Sequence, residues 1–82
     1  MTIYDKLLAY ETSPSSPRDG RRIISNERQT LHVALERVEK LARSKRHVPQ
    51  SWTHEAEREL TAAQAHLADV EAEARRVLAM WS

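Results

Sequence analysis

Apolar positions along this chain fall into three groups, each at helical spacing. Ile3, Tyr4, Leu7, Leu8 and Tyr10 mark one face of a short helix over about 3–11. Thr2 and Asp5 stand where a capping box would open it, with Asp in place of the usual Glu or Gln. Leu31, Ala34, Leu35, Val38, Leu41 and Ala42 form a second stripe, which predicts a helix over about 26–46. Ser25 or Asn26 can cap that helix, and Gln29 completes an Asn-x-x-Gln variant of the box. Lys45 falls on the stripe side, so the buried face should end near Ala42. His47-Val48-Pro49 closes the helix, because a residue before proline is driven out of the helical region.

The third group is the most regular. Trp52, Ala56, Leu60, Ala63, Leu67, Val70, Ala74, Val77 and Trp81 step by 4, 4, 3, 4, 3, 4, 3 and 4. This is a heptad seam and predicts one helix over about 51–81. Many of its members are alanine, so a partner helix can approach closely. Between the first two groups, residues 12–20 hold Pro14, Pro17 and Gly20 and read as a linker.

Two helices joined by about four residues must lie antiparallel, as an αα-hairpin. Residue x of one arm then faces about residue 98 − x of the other, so the longer arm overhangs beyond Ala72. Ala74, Val77, Leu78, Met80 and Trp81 lie in that overhang and need cover, from Ile23, Ile24 and the first helix or from a second copy. Opposite the seam, Thr61, Ala65, Ala68, Ala72 and Ala79 form a stripe of small side chains. It is either a solvated face of good helix formers or a second close-packing surface. The expectation is an all-α single domain over 1–82, a hairpin with a short N-terminal helix. Self-association, most simply as a dimer, would complete a helical bundle through Ala56, Leu60, Ala63, Leu67, Val70, Ala74, Val77 and Trp81.

Composition agrees with that picture. Ala, Leu, Arg, Glu and Lys make 41 of 82 residues, with one glycine, no phenylalanine and no cysteine, which favours long helices and excludes thiolate chemistry and disulfides. Residues 1–10 lack the apolar core of a secretion signal, since Asp5 and Lys6 interrupt it. No stretch approaches the roughly 18–20 apolar residues of a membrane span, so a cytoplasmic protein without a membrane partner is expected.

The net charge of +1 hides an asymmetry: residues 1–17 carry −1, 18–47 carry +5 and 48–82 carry −3. The basic region contains Arg18, Arg21, Arg22, Arg37, Lys40, Arg43 and Arg46. Part of it has a bland explanation, because cations suit a helix C-terminus and Glu36–Lys40 and Glu39–Arg43 are favourable i,i+4 pairs. No aromatic stands among these cations to stack a base.

Motifs for chemistry are missing. His54-Glu55-Ala56-Glu57-Arg58 puts arginine where a zinc motif needs its second histidine. His32, His47 and His66 have no ligand spacing, the acids flank the seam at solvated positions, and one glycine cannot build a phosphate loop. No cofactor, metal or catalysis is expected. The leading expectation is a non-enzymatic helical interaction module of adaptor or inhibitor type. It would contact another protein through Arg18, Arg21, Arg22, Val33, Arg37, Lys40, Arg43 and Arg46. The alternative is a small protein that binds nucleic acid or an anionic nucleotide with the basic region 18–47.

Overall fold

A computed structural model describes residues 2–47 and 49–81, and its element order is all-α: α1 (Ile3–Thr12), α2 (Arg18–Lys45), a 3-10 turn (Gln50–Trp52) and α3 (Thr53–Trp81). The capping box forms as its residues suggest. Asp5 N donates to Thr2 Oγ1 at 3.2 Å and Thr2 N donates to Asp5 Oδ2 at 3.4 Å, satisfying amides that the first turn leaves without helical partners. At the other end of α1, Ser16 Oγ donates to Tyr10 O at 2.8 Å and Ser13 N to the same oxygen at 3.3 Å. The serines of the connection thus serve as the helix C-cap.

α2 starts eight residues before the expected position, which corrects both the linker and the cap. The connection is only Ser13–Pro17, and Pro17 is the extended N-cap, its carbonyl accepting from Arg21 N at 2.9 Å. Proline suits this place because a helix start has no use for its missing amide. Asn26 is an interior helical residue and Thr30 Oγ1 donates back to its carbonyl. Gly20 is helical and buried rather than part of a turn. A Cβ there would come within 3.0 Å of Trp81 Cε3 and closer still to the Tyr10 hydroxyl.

α2 and α3 pack antiparallel along their whole length. Gly20 lies against Trp81 and Lys45 Nζ lies 3.3 Å from Glu57 Oε1. The residue numbers sum to 101 and 102, a register three or four residues beyond the expected 98, so the 3-10 turn and the first turn of α3 extend past the end of α2. The overhang at the end of α3 is therefore covered within the chain at Ala74, Val77, Leu78 and Trp81, by the first two turns of α2 and by α1, whereas Met80 points away and stays 73% exposed. Tyr10 OH donates to Trp81 O at 3.1 Å. Ile3, Leu7, Ile24, Leu31, Ala34, Val70, Ala74 and Val77 form the buried core, with Tyr4, Tyr10, Ile23, Leu35, Leu67, Leu78 and Trp81 packed against it.

α1 lies mainly on α2 and reaches only to its middle, where the Tyr4 and His32 rings stand 6.2 Å apart. A three-helix body is thus followed by a two-helix arm, made from the last ten or so residues of α2 and the first dozen of α3. Within that arm Ala63 alone among the described residues is fully buried, while Val38, Leu41, Lys45, Ala56 and Leu60 are half-buried. The molecule measures 53 × 20 × 18 Å with a radius of gyration of 15.8 Å. A compact chain of this length would have roughly 12 Å.

Candidate functional site

A polar cluster of Arg28, Glu11 and Tyr4 holds α1 to α2. Arg28 Nε donates to Glu11 Oε2 at 2.5 Å, Nη2 to Glu11 Oε1 at 3.3 Å and Nη1 to the Tyr4 hydroxyl at 3.2 Å. Its guanidinium carbon also lies 5.8 Å from the Tyr4 ring centre. The fork geometry is the strong form of an ion pair. Arg28 holds the Glu11 carboxyl below its ordinary value, against the opposing effect of partial burial and with a smaller pull from Ser25. The same hydrogen bond raises the Arg28 guanidinium. Charge is matched by charge across the two helices, which makes this a clasp between α1 and α2.

The residues expected to contact a partner do not form one surface. Arg18 and Arg22 are exposed on the first turns of α2. Arg21 is half-buried and donates Nη2 to Ser13 O at 2.9 Å, tying down the connection. Arg43 lies 25 residues along the same helix from Arg18, about 37 Å away, so the basic region is split between the two ends of the molecule. Val33 is 65% exposed. With Thr30, Ala34, Arg37 and His66 it lines a shallow groove of about 270 Å³ between α2 and α3. Lys40 and Arg43 line a second depression of about 370 Å³ with Glu36, Glu39 and Ser44. Arg43 Nη2 is 3.6 Å from Glu39 Oε2, whereas Glu36 pairs with His32 at 3.0 Å rather than with Lys40.

Every seam residue from Ala56 to Trp81 is buried or half-buried. That burial is supplied within one chain, by α2 and α1. Only the half-buried members Ala56, Leu60 and Leu67 remain open to a second copy along the arm. The small-residue stripe of Thr61, Ala65, Ala68, Ala72 and Ala79 is exposed throughout.

Trp52 departs from the expected seam. It sits in the 3-10 turn and is 58% exposed. By the observed register it faces the turn itself, where α2 has ended, so the stripe of α2 does not extend to it. The sequence places Trp52 four residues before Ala56, in step with the seam, and the loss of its partner follows only from where α2 stops.

The remaining cavities are open grooves. One of about 550 Å³ has Tyr10, Pro17, Leu78 and Trp81 as its apolar part and serines of the connection at its rim. Another, of about 480 Å³, runs over His54, Arg58 and the small side chains Thr61, Ala62 and Ala65. Among the described residues no buried polar or charged residue occurs, and no three metal-ligating side chains converge. Nor is any helix long and apolar enough to cross a membrane. Compared with known proteins, the chain matches no family model, no curated protein and no solved structure.

Proposed function

We propose that this protein is a non-enzymatic helical interaction module, of adaptor or inhibitor type, that works in the cytoplasm by occupying the surface of another macromolecule. One observation carries the reading: a two-helix arm projects from a body that is already closed by α1. An arm of this kind adds little to the body's core, yet it presents helix faces on all sides. Val33 and Arg37 on α2 offer an apolar and a cationic contact on one flank of the hairpin, next to the groove at His66. Self-association belongs to the same reading, through the half-buried Leu41, Ala56 and Leu60, which two copies would cover by laying their arms together as a four-helix bundle.

Sedimentation equilibrium tests the association. The expected result is a dimer that Leu60→Glu converts to a folded monomer, since a carboxylate there would enter the interface unpaired. Affinity capture with the purified protein tests the partner. The expected result is a stoichiometric complex that survives about 0.3 M salt, where exposed charge pairs are screened, and that Val33→Asp with Arg37→Glu abolishes. A strict monomer that captures nothing would overturn the reading.

A further inference from the structure

We infer that the tip of the arm binds single-stranded nucleic acid, with Trp52 as a stacking platform and the last turns of α2 as the track for the phosphates. This goes beyond the interaction module proposed above and does not depend on self-association. Residues 37–47 carry Arg37, Lys40, Arg43, Lys45 and Arg46 against Glu39 alone, a net charge of +4 with His47 neutral. Lys45 is held by Glu57 and Arg43 by Glu39, while among the described residues no carboxylate lies within ion-pair distance of Arg37, Lys40 or Arg46. Glu36, the nearest further acid on this helix, is engaged by His32. The remaining acids of the arm, Glu55, Glu57 and Glu59, belong to α3.

Arg37, Lys40 and Arg43 follow one another at three-residue intervals, about 4.5 Å of rise and 60° of rotation each, so the cations form an oblique row that crosses the outer face of α2 on its way to the tip, with Glu36 and Glu39 lining the same depression as Lys40 and Arg43. A linear polyanion can follow that row; a lipid surface meeting the arm end-on would reach Arg46 and the turn but not Arg37 or Lys40. In the 3-10 turn that follows α2 stands Trp52, its backbone fixed by Trp52 N donating to Pro49 O at 2.9 Å. A largely exposed indole at the same end of the molecule as these cations supplies the two components of unspecific single-strand binding, an electrostatic track and a π-face. Duplex bases are already stacked and cannot use that ring.

The test is fluorescence titration of the full chain carrying Trp81→Phe, which leaves Trp52 as the reporter, with a twenty-residue oligothymidylate. Quenching to a stoichiometric end point is expected, with an affinity that falls with salt at a log–log slope near −2 for about three phosphate contacts. In otherwise wild-type protein, Trp52→Ala should weaken binding about tenfold, and Arg37→Glu with Lys40→Glu should abolish it while far-UV circular dichroism stays unchanged. An abasic strand or heparin bound as tightly as the oligonucleotide would overturn the stacking role. Binding to phosphatidylserine vesicles but not to the oligonucleotide would replace the proposal with a membrane contact. No quenching by any of them would end it.

Discussion

Gly20 is the residue at which local preference and packing disagree most. In an exposed helix interior, glycine costs about 1 kcal/mol relative to alanine, and Gly20 has no positive φ to excuse it. Its value is the space that lets Trp81 and the Tyr10 hydroxyl close over the start of α2. Gly20→Ala is therefore expected to lower the melting temperature, by about 1–2 kcal/mol, which is roughly 5–15 °C for a domain of this size. In a Tyr10→Phe background, where the nearest atom is gone, the same change should cost much less. The Glu11–Arg28 clasp gives a second expectation at this scale. Glu11 has a depressed folded value, so its stabilisation is complete above the unfolded value near 4.5 and is lost as pH falls through the lower folded one. Glu11→Gln should cost about 1 kcal/mol at neutral pH and remove this part of the acid-side slope in urea unfolding midpoints. An unchanged slope would mean that the clasp does not form in solution.

Along α3, size alternates across the helix as well as along it. Ala63 and Ala74, at 2% and 0% exposure, lie on the buried face of α3, and Ala34 is buried at 4% on the facing helix α2. Small residues at these places allow the close approach that leaves Ile24 and Leu31 fully enclosed. Ala74→Leu should cost about 1–3 kcal/mol by overpacking, whereas Ala65→Leu on the exposed stripe should be near neutral in thermal melts. A neutral Ala74→Leu would contradict the close crossing. The seam from Ala56 to Trp81 and the capping box of α1 were legible in the residues, because each is settled by neighbours three and four positions away. The start of α2 was not. Pro17 and Gly20 carry the local marks of a linker and Asn26 those of a cap, and the helical place of Gly20 depends on Trp81 and Tyr10, sixty-one and ten residues away. The cations Arg37, Lys40, Arg43 and Arg46 could be read as lying off the stripe, but Trp52 could not, since its step to Ala56 continues the seam after α2 has run out.

Taken whole, the molecule is a rod of unequal cohesion. Three helices share Leu7, Ile24 and Leu31 at 0% exposure, while the arm has no fully buried side chain larger than Ala63 among its described residues. Burial of apolar area at roughly 25 cal/mol per Å² therefore favours the body. The arm is held by a thin inner stripe, by helix propensity and by the Lys45–Glu57 pair, which, being half exposed, contributes at most about 1 kcal/mol. Native-state hydrogen exchange should report this as a gradient, with amides around Ile24, Leu31, Val70 and Ala74 exchanging only by global opening and those around Leu41 and Ala56 by smaller, local openings. Leu31→Ala should accordingly cost about 2–5 kcal/mol and unfold body and arm together, while Leu60→Ala should cost less and loosen the arm alone. Adding a ligand of the arm then becomes diagnostic. Anything that binds the arm's native form stabilises it by mass action, so protection should rise selectively at residues 37–60 and leave the body's slowest amides at their global limit. A uniform rise over the whole chain would instead mean that arm and body open as one unit, and that the division between them is geometric only.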